Sequence, residues 1–316
     1  MQSILNLGAD VDSRYIVIAC AAGCFGARTI ANERKAILAW LCELPRGSRL
    51  GVESTGGYHE LLAELAHQAG LCVFVINPRE LRRYAEGLGR RGKTDRLDAE
   101  VIARYVAHEH DELHPYLPPN KEQRALARLL SRRATVVVNK GALGQSLRGL
   151  AGIGGELKQL MTALDRVLAR IDALIDNALH KLPAAHNAAQ HIESIPGYGT
   201  LSSTCLAYNF TRHPFSSSDS VVAFSGLDPR PQDSGPKRGR RRLSKRGPSE
   251  QRRLLFNCAR SAARTKLWRP YYQTQLAKGL SATEATLILA RKMLRVAFAL
   301  YKHDRDFDRA RLRAHA

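Results

Sequence analysis

No stretch of this 316-residue chain approaches 18 consecutive apolar residues, and no cationic-then-apolar leader begins it. Those absences argue against a membrane span and a secretory signal, so a cytoplasmic protein is expected. Zinc-finger spacing is also missing. Cys20 and Cys24 have no second pair to match, and Cys42, Cys72, Cys205 and Cys258 are scattered, mostly in apolar runs. A zinc site is therefore not expected, and the six cysteines are expected to be reduced thiols. Acidic residues are scarce where basic ones are dense. Of 49 Lys+Arg and 29 Asp+Glu, 24 and 8 fall in 201–316, which leaves 25 and 21 in the first 200 residues. A net charge of +20 predicts a polyanionic partner, nucleic acid first. The C-terminal third is the electrostatic footprint, and the N-terminal part holds most of the carboxylates.

What is present reads as more than one domain. Apolar runs at 4–9 and 15–21 and a third near 27–30 predict a three-stranded antiparallel meander. Asn32 is placed to cap a helix over 33–42. A strand over 49–52 ends at Glu53, a helix covers 58–69, and a buried strand over 71–76 stops at Asn77-Pro78. Helices follow, with a Gly-rich break at 87–92. The order βββαβαβα argues for a mixed α/β domain over 1–110.

Four carboxylates in this domain form a set. Asp10 and Glu53 lie at the C-terminal ends of candidate central strands, where functional groups collect in open α/β sheets. Asp95 and Asp98, in Lys93-Thr94-Asp95-Arg96-Leu97-Asp98, are three apart beside an amphipathic helical run over 98–105, so they share a face. Alone, that pair reads as a solvated helix N-terminus. With Asp10 and Glu53, it makes a candidate clamp for two Mg²⁺ ions in phosphodiester chemistry. Asp12 rivals Asp10, with a turn role as its other reading.

A Pro-rich linker covers 111–120. Helical patterns follow over 121–150, with Arg124, Arg128, Arg132, Arg133, Lys140 and Arg148 along the first helix, and over 160–179. They suggest an antiparallel hairpin or coiled-coil arm within a middle segment 111–190. Pro196-Gly197-Tyr198-Gly199 opens the last domain, 191–316, and resembles the hairpin of helix-hairpin-helix units. The densest feature runs from Ser234 to Gly247. It carries Lys237, Arg238, Arg240, Arg241, Arg242, Lys245 and Arg246 and no acid, which suits it to gripping phosphates. It also contains two serines, Ser234 and Ser244, with no local His or Asp that must act as base.

Three N-terminal motifs, Gly8-Ala9-Asp10-Val11, Val52-Glu53-Ser54-Thr55-Gly56 and Lys93-Thr94-Asp95-Arg96-Leu97-Asp98-Ala99, resemble the N-terminal domain of the IS110/IS1111-family transposases of bacterial insertion sequences. Gly226-Leu227-Asp228-Pro229, Ser234-Gly235 and Leu243-Ser244-Lys245-Arg246-Gly247 resemble that family's C-terminal transposase domain. The resemblance implies an RNase H-like (RuvC-like) first domain, a coiled-coil middle and a mainly α last domain. It maps an acidic DEDD tetrad onto Asp10, Glu53, Asp95 and Asp98, holding Mg²⁺ or Mn²⁺, and the nucleophilic serine onto Ser234. Ser244 remains a rival by residue chemistry. It implies a nucleoid-associated bacterial recombinase that acts on element ends and target DNA through a phosphoserine link. It further implies a homodimer or homotetramer and a structured guide RNA. A site-specific DNA invertase of the same superfamily shares every residue named. A RuvC-like hydrolytic nuclease would not need Ser234. A basic nucleic-acid-binding protein with a decayed acidic site is the non-enzymatic alternative.

Overall fold

The computed structural model describes residues 4–23, 25–54, 56–89, 94–230 and 241–312. The chain divides into two units, Met1–Pro118 and Pro119–Ala316. In the first, β1 (Asn6–Val11), β2 (Tyr15–Cys20) and β3 (Arg28–Ala31) form the expected antiparallel meander. Helix α1 (Arg34–Leu41) leads to β4 (Arg49–Glu53), parallel to β1. Helix α2 (Glu60–Gln68) leads to β5 (Cys72–Ile76), parallel to β4. The sheet order is β3-β2-β1-β4-β5. Helices α3 (Pro78–Gly87) and α4 (Asp95–Glu109) complete the unit.

Period-2 alternation sorts the sheet into two faces. Leu7, Ala9, Val11, Leu50 and Val52 pack with Ile37, Trp40 and Leu41 of α1 and Leu62, Leu65 and Ala66 of α2. The opposite face carries Gly8 and Gly51, and α4 lies on it. A Cβ on Gly8 would sit 2.2 Å from the Ala103 amide nitrogen and 2.3 Å from the Ala99 carbonyl oxygen. Only glycine permits that approach of helix backbone to strand.

Two local expectations are corrected. Asn32 does not cap α1, whose first residue follows Glu33 without a side-chain cap. Instead its amide donates to the Asp12 carbonyl at 2.9 Å and to the Tyr58 carbonyl at 3.3 Å. Helix α4 begins at Asp95 rather than Asp98, because the Thr94 hydroxyl accepts from the Leu97 N–H at 3.3 Å and caps it.

The second unit is mainly helical. Helices α5 (Lys121–Ser146) and α6 (Gly154–His180) form an antiparallel pair, tied by Arg133–Asp172 and Lys140–Asp165 ion pairs. Helices α7 (Pro183–Glu193), α8 (Thr200–Arg212) and α9 (Ser218–Phe224) follow. A ribbon of β6 (Pro229–Arg230) and β7 (Arg242–Leu243) precedes α10 (Ser249–Ala262), α11 (Arg269–Ala277), α12 (Ala282–His303) and α13 (Arg309–Leu312). One core gathers Leu126, Ile175, Ile192, Phe210, Leu255, Trp268, Leu289 and Phe298. The expected mixed α/β sheet followed by a mainly helical remainder is thus what the chain forms. Among the described residues, no helix is long and apolar enough to cross a membrane. Cys42, Cys72, Cys205 and Cys258 are free thiols, but Cys20 is disulfide-bonded. That corrects the expectation of six reduced cysteines; β2 ends at Cys20 in a turn where the Gly23 N–H donates to the Cys20 carbonyl at 3.1 Å.

Candidate functional site

The acidic residues gather at one edge of the first unit's sheet. Ala9 of β1 pairs with Val52 of β4, so Asp10 and Glu53 follow at the same level on neighbouring strands. Asp10 is two residues beyond Gly8 and Glu53 two beyond Gly51, so both carboxylates are on the face that carries α4. Helix α4 crosses that face from β2, where Ala99 packs on Val17 and Ala19, to β5, where Ile102 and Val106 meet Phe74 and Ile76. Its first turn, with Asp95 and Asp98, is therefore set over β2 beside the end of β1. Asp95 is exposed, whereas Asp10, Glu53 and Asp98 are half-buried.

Tyr15 fixes this corner and was not singled out from the sequence. Its hydroxyl donates to the Asp95 carboxylate at 3.2 Å across 80 residues of chain. The charge of Asp95, then that hydrogen bond, holds the Tyr15 phenol above the usual tyrosine range, with smaller contributions from Asp12 and Asp10. Tyr15 thus contacts Asp95 and lies within the electrostatic reach of Asp12 and Asp10. Asp12 itself serves the β1–β2 turn. Its carboxylate accepts from the Arg14 N–H at 3.2 Å and the Ser13 hydroxyl at 3.0 Å, which hold its pKa below the usual range.

The donor set, four carboxylates and one phenol, is all oxygen and suits a hard divalent cation. Among the described residues, however, no three His, Cys, Asp or Glu side chains stand close enough to hold an ion. The four carboxylates share a face and an edge without closing into one coordination sphere. A cleft of about 690 Å³ runs along α4, lined by Arg96, Glu100, Arg104 and His108, to Cys20 and Phe25 beyond β2.

In the second unit, Ser234, Lys237, Arg238 and Arg240 lie outside the described residues. The chain on either side of them is specified closely. Pro229 pairs with Leu243 and Arg230 with Arg242. The Ser244 N–H donates to the Asp228 carbonyl at 3.0 Å, and its hydroxyl donates to the Asp228 carboxylate. Ser244 is buried, with its hydroxyl committed to that bond. Lys245 adopts a left-handed conformation (φ 53°), which costs a non-glycine residue ~1–2 kcal/mol; its N–H donates to the Gly226 carbonyl at 3.1 Å. Below the ribbon, a Cβ on Gly247 would sit 1.7 Å from the Phe224 carbonyl oxygen. The Arg252 guanidinium donates to the Ser225 and Gly247 carbonyls. Gln251 donates to the Ser225 hydroxyl at 2.9 Å and accepts from Asn209 at 3.0 Å. Around this base, Arg241, Arg242, Lys245 and Arg246 are exposed.

Comparison with known proteins matches both units. A transposase model of the DEDD IS110 type matches residues 23–151, which include Glu53, Asp95 and Asp98 but not Asp10. A model described as transposase IS116/IS110/IS902 family matches residues 189–273. Among curated relatives, a pilin gene-inverting protein of Moraxella bovis is 27% identical over 267 residues, covering 82% of this chain and 81% of that protein. A transposase for insertion sequence element IS1328 of Yersinia enterocolitica is 28% identical over 239 residues, covering 67% and 70%. A transposase for insertion sequence element IS1111A of Coxiella burnetii is 27% identical over 226 residues, covering 62% and 60%.

Proposed function

Because the chain belongs to the IS110 family of transposases, we propose that it cuts and rejoins DNA with a carboxylate edge in one unit and a serine in the other. The observation that carries this reading is the gathering of Asp10, Glu53, Asp95 and Asp98 on one face and one edge of the sheet. The strand order β3-β2-β1-β4-β5, with three antiparallel strands followed by two parallel ones, supports an RNase H-like assignment. The α5–α6 pair is read as the family's coiled-coil arm.

Asp10, Glu53, Asp95 and Asp98 are the residues that would hold Mg²⁺ or Mn²⁺. Drawn together around one ion, these carboxylates would repel one another, and the cation between them would offset that cost. What the ion supplies, when bound, is Lewis-acid stabilisation of the charge on the phosphate and departing oxygens. Tyr15 holds Asp95 in place and keeps its own proton. The Ser234 oxygen forms a bond to the scissile phosphorus as the bond to a flanking sugar oxygen breaks. The serine proton ends on that departing oxygen. The hydroxyl of a second strand end then displaces serine and regenerates it. Ser244 is a weaker candidate, because its hydroxyl is buried and bonded to Asp228. Lys237, Arg238, Arg240, Arg241, Arg242, Lys245 and Arg246 grip the phosphates beside the reacting bond. Two copies or four, a structured guide RNA and action at the bacterial nucleoid complete the proposal by resemblance to the family.

The match to pilin gene-inverting proteins favours a second reading, a site-specific invertase. It uses the same residues and differs in the arrangement of the two DNA sites. The test is metal-dependent cleavage of labelled element-junction DNA by protein co-expressed with its flanking DNA. We expect cleavage with Mg²⁺ or Mn²⁺, and a loss of at least ~100-fold in Asp98→Asn and in Glu53→Gln. Undiminished cleavage in both variants would remove the carboxylate edge from the mechanism.

A further inference from the structure

The arginines of α10 divide into two groups. Arg252 is committed to the Ser225 and Gly247 carbonyls, and Arg253 to Glu250 through two hydrogen bonds of 2.6 and 2.7 Å. Further along, the guanidinium groups of Arg260 and Arg264 have no acidic or carbonyl partner among the described residues, and both residues are exposed. Together with Asn257 and Ser261 they line a concavity of about 300 Å³. Asn257, Arg260 and Ser261 stand at i, i+3 and i+4 on one helix face, and Arg264 follows in the turn that ends the helix, its N–H bonded to the Ser261 carbonyl at 3.1 Å.

We propose that Asn257, Arg260, Ser261 and Arg264 form a seat for the phosphodiester backbone of a nucleic acid, separate from the basic run at 237–246. Two guanidinium groups four residues apart repel unless an anion lies between them. Phosphate fits that place better than a solvated surface does. Arginine's forked donors match its oxygens in pairs, and the serine hydroxyl and asparagine amide add single donors. The seven steps of near-helical chain from Asn257 to Arg264 span ~10 Å. A DNA strand carries a charge every ~3.4 Å of axis, so the seat meets more than one phosphate. An acidic protein segment is the competing occupant. The surrounding charge favours the polymer with the denser charge: residues 201–316 hold 24 basic and 8 acidic residues. Opposite the seat, Ala262 packs under Gly197, where a Cβ would lie 2.6 Å away, so α10 is backed by the α7–α8 hairpin and the seat rests on a rigid element.

The inference rests on the reading of a nucleic-acid-handling enzyme, and not on which residues cleave. The experiment is fluorescence anisotropy of the full-length protein with a labelled 30-base-pair duplex, a labelled 30-nucleotide single-stranded RNA and labelled poly-glutamate across a salt series. Arg260→Ala/Arg264→Ala is compared with wild type and with a charge-matched control, Arg269→Ala/Lys278→Ala. Loss of two phosphate contacts lowers the slope of log K against log salt by ~1.8 on duplex DNA or ~1.4 on single-stranded RNA. We expect that change in at least one polymer, and the polymer that responds identifies the strand seated there. A slope unchanged from wild type, or changed no more than in the control, would overturn the site while leaving the enzyme reading intact. Loss of poly-glutamate binding with unchanged nucleic-acid slopes would assign the concavity to an acidic protein instead. A wild type that binds neither polymer would overturn the nucleic-acid reading itself.

Discussion

The acid edge of the first unit and the ribbon base of the second are both built on glycines with no room for a Cβ, yet they are held in different ways. At the acid edge, α4 is laid on Gly8 and Gly51 by close backbone approach and apolar packing, and its first turn comes to rest beside β1. At the ribbon base, hydrogen bonds from Ser244, Lys245, Gln251 and Arg252 converge on Ser225, Gly226, Gly247 and Asp228. Packing of α4 on the sheet brings carboxylates to one edge. A polar network consumes the groups it positions. The Ser244 hydroxyl, bonded to Asp228, is therefore suited to structure.

Substitutions sharpen the contrast. Gly8→Val forces α4 off the sheet, because the obstruction is backbone on both sides. We expect destabilisation at or beyond the upper end of the ~1–3 kcal/mol typical of overpacked cores, read as a lowered melting temperature of the first unit in calorimetry. Gly247→Ala drives a Cβ into the Phe224 carbonyl, backbone as at Gly8, so a loss of the same order is expected in the second unit's transition, ~1–3 kcal/mol. Ser244→Ala leaves the Asp228 carboxylate without that donor and should cost ~1–3 kcal/mol, while Ser244→Thr, which keeps the hydroxyl, recovers most of it in the same denaturant titration. Tyr15→Phe removes a single exposed contact. It should leave stability within ~0.5 kcal/mol and raise the metal concentration needed for half-maximal cleavage by a few-fold. If Tyr15→Phe unfolded the first unit while Gly8→Val left it intact, the contrast between the two modes of support would be reversed.

The residues differ in how far the sequence alone could reach them. The strand-end positions of Asp10 and Glu53 were legible because strand ends follow from period-2 alternation and turn residues, which are local. The shared helix face of Asp95 and Asp98 was legible through helical spacing, although the Thr94 cap moved the helix start to Asp95. Tyr15 carried no such mark: its link to Asp95 spans 80 residues and follows no local period. Asn32 reads as a cap by residue type, but α1 starts at Arg34 with Glu33 at the cap position, and the Asn32 amide donates to two carbonyls of distant turns. The two serines of the basic run look alike in composition. What distinguishes Ser244 is a bond to Asp228, made across a ribbon whose pairing no local rule specifies. Cys20 carries a disulfide that its place in an apolar run did not mark.

The most direct test of the account is to trap the covalent step. Protein co-expressed with its flanking DNA is incubated with Mg²⁺ and end-labelled element-junction DNA, denatured, and resolved on a gel for wild type, Ser234→Ala, Ser244→Ala and Asp98→Ala. The account predicts a denaturant-resistant protein–DNA adduct that disappears in Ser234→Ala and Asp98→Ala and persists in Ser244→Ala. Cleaved DNA without any adduct, undiminished in Ser234→Ala, would contradict it and leave a hydrolytic nuclease.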